Sequence, residues 1–291
     1  MSSADPIRWP LEAIWQAIEP QLPGFSCEAL PVVDSTNSEL MRRFKAGQLE
    51  PTLLVAEQQS AGRGRLGRQW HSQRGDSLMF SVGLPLAPAD WSGLSLAVGI
   101  SLAESLDAPN LPDQRIGLKW PNDLWLVDKK TERKLGGILV ETATFEGQRH
   151  VVIGVGINVR TVDFAAQGST ATAAAIPPGC LQDLQPQADV ASALLQVLPP
   201  LVQTVQAFER FGFAPFQARF NQRDVLAGRN VQVSDGTISK VNSQVQGQAH
   251  GVTETGALLV HTSAGMKEIT SSEVTVRPIL GRAPSFDMRP C

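Results

Sequence analysis

Seven consecutive residues, from Gly62 to Arg68, contain three glycines and three arginines in the order GRGRLGR. Arginine presents forked donors that match carboxylate and phosphate groups, and glycine lets the backbone approach a ligand closely. Because the net charge of the whole chain is −3, this positive charge is local and not part of a basic surface. The stretch favours a flexible loop that closes over a small anion. A solvated surface loop with chance arginines is the alternative.

The spacing of Gly62, Gly64 and Gly67 also fits the G-x-G-x-x-G fingerprint of dinucleotide-binding proteins. That interpretation requires a helix with an apolar face after the third glycine. The residues that follow, RQWHSQRGDS, contain one large apolar side chain, that of Trp70. The sequence also lacks the G-x-x-x-x-G-K-[ST] pattern of a P-loop. Both kinds of nucleotide site are therefore disfavoured.

A second polar stretch, KWPNDLW, runs from Lys119 to Trp125 between two strand-like segments. Pro121 fixes a turn there, which sets Asn122 and Asp123 at a rigid corner. Asp123 is a candidate ligand for Mg²⁺, which commonly takes one or two carboxylates together with substrate phosphates. A hairpin turn without any ligand is the alternative.

Two glycine-rich strands add further candidates. In RKLGGILVE, Lys134 precedes Gly136 and Gly137, and paired glycines in a strand often mark close approach by a ligand. A bulge with a solvated lysine is the alternative. In GVGINV the strand ends at Asn158, whose side chain either reads a polar group or caps the strand.

The segment DSTN predicts a helix start that could also face a ligand. Thr36 and Glu39 fit a capping-box pattern, so capping accounts for at least part of this segment. The side chains of Ser35, Thr36 and Asn37 could still bind a neutral polar group. Gln59 ends a predicted strand and faces the glycine-rich loop.

These motifs together, DSTN, Q-x-x-G-R-G-R-x-G-R-x-W, KWPND, KLGGIL and GVGINV, closely resemble those of the biotin protein ligases, from about Asp34 to Val159. The resemblance implies an enzyme that joins the carboxylate of biotin to the α-phosphate of ATP and releases pyrophosphate. It then implies transfer of the biotinyl group from biotinyl-5′-AMP to a lysine of a carrier, expected to be the biotin carboxyl carrier protein of acetyl-CoA carboxylase.

The resemblance also implies roles for the candidate residues. Those expected to bind biotin are Ser35, Thr36, Asn37, Gln59, Arg63, Gly64, Arg65, Lys134 and Gly137. Those expected to bind ATP are Arg65, Arg68, Trp70, Lys119, Asn122 and Asn158. Lys134, Arg65 and Lys119 are expected to act in catalysis, and Asp123 to hold Mg²⁺.

Water must be kept from the mixed anhydride of the adenylate. The glycine-rich loop over biotin and a second loop at about 160–180 over the adenosine are expected to exclude it. The stretch from Gly168 to Cys180 is rich in alanine and threonine, which argues against aromatic stacking on adenine by this second loop.

Hydrophobic patterning predicts the elements that position these residues. The stretch WPLEAIWQAIEP predicts a helix with Pro10 in its first turn and an apolar face formed by Leu11, Ile14, Trp15 and Ile18. Four strand-like runs from RIGLKW to GVGINV predict an antiparallel meander. A helical pattern spans 188–211, with a break or kink at Pro199–Pro200. From about Val225 the sequence reads as short strands, with hairpin turns at SDG and ETG.

The predicted fold is α+β: a mixed, largely antiparallel sheet packed by helices, with a small closed C-terminal β-barrel. The resemblance makes this a class II synthetase-like biotin ligase core. The expected domains are residues 1–222 (catalytic, with a short N-terminal helix) and 223–281 (barrel), followed by a disordered tail at 282–291.

Cysteine spacing and the distribution of apolar residues indicate the cellular compartment. The three cysteines lack zinc spacing, and the sequence contains neither a signal-peptide pattern nor a run of 18 apolar residues. We therefore expect a cytoplasmic protein without membrane contact. Only 34 residues precede Ser35, too few for the DNA-binding domain of some bacterial relatives, so we expect no nucleic-acid partner and no repressor function.

Two rival functions and the oligomeric state stay open. One rival is a lipoate or octanoyl transferase on a related core, which would not need the arginine-rich loop. The other is a non-catalytic regulator that binds biotinyl-adenylate or nucleic acid. The sequence is compatible with either a monomer or a homodimer.

Overall fold

The structure, a computed structural model, describes residues 6–70, 73–107, 114–128, 131–145, 147–161, 178–235, 245–270 and 274–278. Most of the predicted loop at 160–180, the glycine of the SDG turn and the tail at 282–291 lie outside these residues.

A seven-stranded mixed sheet carries the candidate site, in the order β1-β2-β3-β7-β6-β5-β4. Its strands are β1 (Ser26–Val33), β2 (Thr52–Gln59), β3 (Ser77–Pro85), β4 (Ile116–Lys119), β5 (Asp123–Val127), β6 (Glu132–Phe145) and β7 (Gln148–Asn158). Strands β1 and β2 are parallel, and every other neighbouring pair is antiparallel. The predicted meander from β4 to β7 and the fold class are confirmed.

Five α-helices pack on this sheet in the part of the chain that the structure describes: α1 (Leu11–Ile18), α2 (Thr36–Lys45), α3 (Leu94–Leu106), α4 (Val190–Phe211) and α5 (Gln217–Arg223). Helix α3 is apolar on nearly all sides and is buried between the sheet and α4. Helix α1 buries Ile14 and Ile18 of its predicted apolar face completely, whereas Trp15 is 45% exposed.

Helix α4 is a single helix that continues through Pro199 and Pro200, so the break that the sequence allowed there is not seen. A proline leaves the carbonyl four residues earlier without its helical partner. Those carbonyls belong to Leu195 and Gln196, which are exposed, so water can satisfy them while the opposite face stays packed. By length and composition α4 could span a membrane, but its apolar face is buried in the core, as in the core helix of a globular domain.

A second, five-stranded antiparallel sheet follows, in the order β11-β10-β9-β8-β12. Its strands are β8 (Asn230–Asp235), β9 (Val245–Val252), β10 (Leu258–Thr262), β11 (Gly265–Ile269) and β12 (Val274–Pro278). The predicted ETG turn joins β9 to β10. Within the described residues no ladder joins β11 to β12, so closure of the predicted barrel is not seen. Strand β11 instead presents exposed Lys267 and Glu268, as solvent-facing edge strands do.

The two sheets share one hydrophobic core. Leu226, Val231 and Val260 of the C-terminal region belong to the same buried cluster as the side chains of the large sheet. The fully buried Trp120 donates its indole N–H to the carbonyl of Gly256 at 3.0 Å. The small sheet is therefore anchored on the corner that carries the KWPND motif.

Candidate active site

A solvent-open cleft lies on the large sheet. Thirteen of the predicted site residues line it: Ser35, Thr36, Asn37, Gln59, Arg63, Gly64, Arg65, Arg68, Trp70, Asn122, Asp123, Lys134 and Gly137. Residues separated by up to a hundred positions in sequence are thus brought into one cleft.

The start of α2 differs from the predicted capping box by one residue. Ser35, with an extended backbone, is the N-cap, and its hydroxyl accepts from the amide of Ser38 at 3.4 Å. Thr36 instead binds Gln59: the Oε1 of Gln59 accepts hydrogen bonds from the Thr36 amide (2.7 Å) and hydroxyl (3.2 Å). Glu39 turns away and pairs with arginines on the outer face of the helix. The DSTN segment is therefore held by the end of β2.

A buried hydrogen-bond network continues from Thr36 to Asn37 through Ser81, which sequence analysis missed. Ser81 on β3 is completely buried, and its hydroxyl lies 2.7 Å from Thr36 Oγ1 and 2.6 Å from Asn37 Oδ1. The Asn37 amide nitrogen donates to the carbonyl of Leu139 (3.2 Å) and to Glu141 (2.9 Å). A serine in the middle of an apolar, largely buried strand was the available signal.

The glycine-rich segment forms a short hairpin rather than an open loop. Gly62 accepts from the Trp70 amide (2.9 Å), Arg63 bridges to Gln69, and Gly64 donates to the Arg68 carbonyl (2.7 Å). A Cβ on Gly62 would lie 2.4 Å from the Trp70 carbonyl oxygen, which explains the first glycine. Between β2 and β3 the described residues contain no α-helix, in agreement with the rejection of a dinucleotide fold.

Two glycines of β7, also missed, are needed for close packing in the cleft. A Cβ on Gly154 would lie 2.1 Å from Asn37 Oδ1, and one on Gly156 would lie 2.7 Å from the Trp70 ring. Because residues i and i+2 share one face of a strand, these glycines create a trough for Asn37 and Trp70. Their spacing in GVGINV was the signal, since glycine in a strand often marks close approach.

Lys134 and Asp123 form an ion pair in the cleft, with 2.7 Å between Nζ and Oδ1. A bulge in the β5–β6 ladder, where Leu124 faces Gly136 but Trp125 faces Lys134, changes the register beside the lysine. A Cβ on Gly137 would be 3.5 Å from the Lys134 ammonium, so Lys134 and Gly137 lie on the same face. The predicted alternative of a bulge is correct in its geometry, but the lysine is paired.

Arg65 enters the same part of the cleft, where its guanidinium donates to Asn122 Oδ1 at 3.4 Å. The Asn122 amide nitrogen donates to the Ile138 carbonyl at 2.9 Å. Burial lowers the pKa of Arg65, and the nearby Asp123 carboxylate partly opposes that effect. A partly desolvated cation gains most from an anionic ligand, because charges interact more strongly where water is scarce.

Lys119 and Asn158 are the two predicted site residues that do not line the cleft. The Lys119 ammonium lies 4.6 Å from the centre of the Trp125 ring, and burial lowers its pKa. In the β4–β5 ladder Lys119 faces Asp123, so it stands beside the site. Asn158 is buried and donates to the carbonyls of Lys134 (3.4 Å) and Gly179 (3.2 Å), which ties the end of β7 to the lysine.

Both the sequence and the fold are similar to those of known proteins. Residues 29–158 match the biotin/lipoate A/B protein ligase family, and residues 228–277 match the biotin protein ligase C terminal domain. The chain is 35% identical over 264 residues to the bifunctional ligase/repressor BirA of Escherichia coli, covering 88% of this chain and 76% of that protein. The chain belongs to the biotin protein ligase family.

Other relatives agree with this family. The biotin–[acetyl-CoA-carboxylase] ligase of Paracoccus denitrificans is 29% identical over 252 residues, covering 83% of this chain and 96% of that protein. The biotin protein ligase of Aquifex aeolicus in complex with biotin and ATP superposes with a TM-score of 0.68 at 29% identity, covering 87% of this chain and 99% of that one. The match to the C-terminal domain of biotin ligases argues against the lipoate transferase alternative.

Proposed function

We propose that this chain is an ATP-dependent biotin ligase, which activates biotin as biotinyl-5′-AMP and transfers the biotinyl group to a carrier lysine. The supporting observation is the pairing of two unlike regions in one cleft. One presents the buried, neutral side chains of Thr36 and Asn37, and the other is cationic, with Lys134 and Arg65. A substrate with a neutral polar ring and a distant carboxylate matches both regions.

The neutral region is the proposed site of the ureido ring of biotin. That ring presents both donors and acceptors, and Ser35, Thr36, Asn37 and Gln59 offer hydroxyl and amide groups. Thr36 and Asn37 are almost completely buried, so a hydrogen bond made there is shielded from water. A site built to hydrogen-bond a substrate rejects analogues that lack the matching group.

The cationic region is the proposed site of the first chemical step. The biotin carboxylate must approach the α-phosphate of ATP, and the repulsion between these anions has to be neutralised. Lys134 and Arg65 supply positive charge beside the reacting atoms, and preorganised charge of this kind often provides a large part of the rate enhancement. Pyrophosphate leaves as biotinyl-5′-AMP forms.

Asp123 is the proposed Mg²⁺ ligand, with Asn122 beside it. Asp123 is the single carboxylate among the described residues that line the cleft. One carboxylate suits Mg²⁺, which takes most of its remaining ligands from phosphates and water. When bound, the ion would neutralise phosphate charge, while Lys134 and Arg65 hold the biotin carboxylate.

The remaining proposed ATP contacts lie around the cleft. Arg68 and Trp70 belong to the returning arm of the glycine-rich hairpin. Asn158 holds Gly179, which borders the segment expected to cover the adenosine. Lys119, facing Asp123 across the β4–β5 hairpin, is proposed to contact the phosphates.

In the second step the ε-amine of a carrier lysine attacks the acyl carbon of the adenylate, AMP leaves, and the lysine loses a proton. The proposed carrier is the biotin carboxyl carrier protein of acetyl-CoA carboxylase, in line with the names of the ligases from Paracoccus denitrificans and Mycobacterium tuberculosis. Transfer in water requires that the adenylate be shielded until the carrier arrives.

Some relatives are named ligase/repressor, and the absence of DNA binding in this protein remains a prediction from sequence. The compartment and the choice between monomer and homodimer remain predictions from sequence.

Biotin-dependent exchange of radiolabelled pyrophosphate into ATP tests the first step without any carrier. We expect exchange with biotin and Mg²⁺, and none with lipoate. Exchange driven by lipoate alone would favour the rival function on lipoate, and exchange with neither acid would contradict adenylate formation.

A further inference from the structure

Glu141 on β6 connects two parts of the candidate site without lining the cleft itself. Its Oε2 accepts a hydrogen bond from the Asn37 amide at 2.9 Å, and its Oε1 accepts from the Arg63 guanidinium at 2.9 Å. Asn37 belongs to the buried network, and Arg63 to the glycine-rich hairpin. One carboxylate thus links the floor of the cleft to the hairpin over it.

The link fixes which atoms of Asn37 are offered to a ligand. Both hydrogens of its amide nitrogen are engaged, by Glu141 and by the carbonyl of Leu139 at 3.2 Å. Its Oδ1 meets the Ser81 hydroxyl at 2.6 Å, and a carbonyl oxygen retains a second lone pair. Asn37 therefore presents an acceptor to the cleft, suited to an N–H donor of the ligand.

The same link changes the expected role of Arg63. Its guanidinium is paired with Glu141 and lies 3.3 Å from the Ser38 hydroxyl. Lys134 and Arg65 remain the cations at the proposed reacting carboxylate. Arg63 anchors the hairpin to β6 and α2.

We propose that Glu141 is a positioning residue for biotin recognition, which orients the Asn37 amide and holds the glycine-rich hairpin through Arg63. This proposal rests on the proposed function, since biotin is the ligand whose N–H groups Asn37 would accept. Charge-assisted hydrogen bonds contribute more than neutral ones, so a carboxylate suits both tasks better than an amide.

Glu141→Gln tests the proposal, because glutamine keeps the shape but loses the charge and one acceptor. We expect the Kd for biotin to rise about tenfold or more, as for one weakened charge-assisted bond. The KM for ATP should stay unchanged. In the unliganded protein, trypsin should cleave faster after Arg65 and Arg68, because the hairpin loses its anchor.

Two further variants separate positioning from general stability. Glu28→Gln is the matched control, since Glu28 pairs with Arg43 at 2.6 Å on the edge strand β1, and it should leave both readouts unchanged. Arg63→Gln should accelerate cleavage as Glu141→Gln does, yet weaken biotin binding less, because Asn37 keeps its contact with Glu141.

Wild-type biotin affinity together with a wild-type cleavage rate in Glu141→Gln would overturn the proposal. Equal loss of biotin and ATP affinity, with a lowered melting temperature, would overturn it in favour of a purely structural role. If the wild-type protein fails to bind biotin, the proposed function fails. The cleavage rates of the two variants then still decide whether Glu141 anchors the hairpin.

Discussion

The ammonium of Lys134 lies 2.7 Å from the carboxylate of Asp123, in the cleft that also receives Arg65. An ion pair at this point holds a lysine and a candidate metal ligand together in the same site. Because the two residues have different proposed roles, substitution of either one tests its role separately.

Lys134→Ala should reduce biotin-dependent pyrophosphate exchange by about 10²–10³-fold, the usual cost of removing a preorganised charge at a reacting centre. Melting temperature should change little, because Lys134 is more than one-third exposed and such ion pairs contribute little stability. Lys45→Ala, on the exposed face of α2, is the control. Exchange at the wild-type rate in Lys134→Ala would rule out its catalytic role.

Arg65→Ala should let biotinyl-5′-AMP dissociate faster, by about tenfold or more, because a partly buried cation beside the acyl phosphate is lost. The off-rate can be measured by displacing labelled, pre-formed biotinyl-5′-AMP with an excess of the unlabelled compound. Arg68→Ala, on the returning arm of the hairpin, should have the smaller effect. An off-rate equal to that of the wild type would show that Arg65 does not retain the adenylate.

Gly154→Ala should impair biotin binding, whereas Gly156→Ala should impair ATP binding more. A methyl group on Gly154 would meet Asn37 Oδ1 at 2.1 Å, and one on Gly156 would meet the Trp70 ring at 2.7 Å. Binding of each substrate can be measured separately by calorimetry on both variants. The same loss of both affinities in the two variants would contradict the proposed division of the cleft.

Asp224 should make the folded chain less stable as pH rises. Burial raises the pKa of Asp224 to about 6 from an ordinary value of 3.8, against the weaker effects of the hydrogen bond from the Leu226 amide and the charge of Arg229. Because the folded state binds the proton more tightly than the unfolded state, stability is full below about pH 4 and falls until the carboxyl is ionised above about pH 6.

Asp224→Asn should therefore raise the free energy of unfolding at pH 8, by at most about 3 kcal/mol, and leave it unchanged near pH 4. Urea unfolding at both pH values measures this difference. Asp128→Asn, at an exposed aspartate, is the control for charge alone. An equal effect of Asp224→Asn at the two pH values would contradict the assignment to Asp224 ionisation.

Local patterns predicted the elements well where periodicity alone sets them. The helix at Leu11–Ile18 and the strands of the meander that ends at Asn158 follow from the spacing of apolar residues, which can be read from the sequence. The unbroken α4 could not be predicted, because tolerance of Pro199 and Pro200 depends on which carbonyls face water. The parallel pairing of β1 with β2 likewise depends on α2 crossing between them.

The candidate site was predictable where a residue type is unusual for its element, as with Lys134 in an apolar strand. It was not predictable where an ordinary residue gains its role from a distant neighbour. Ser81, Glu141 and Gly154 acquire their places through Asn37, which lies more than forty residues from each along the chain. Lys119 was predicted to bind ATP and to act in catalysis; its ammonium packs on the Trp125 ring, and its role stays a prediction.

Ligase activity can be measured by mass spectrometry of a biotin carboxyl carrier domain incubated with this protein, biotin and Mg²⁺-ATP. We expect the carrier to gain the mass of one biotinyl group, the gain to require ATP, and Lys134→Ala to abolish most of it. No gain on any of several carriers, with folded protein and intact substrates, would contradict the assignment of ligase activity to this cleft.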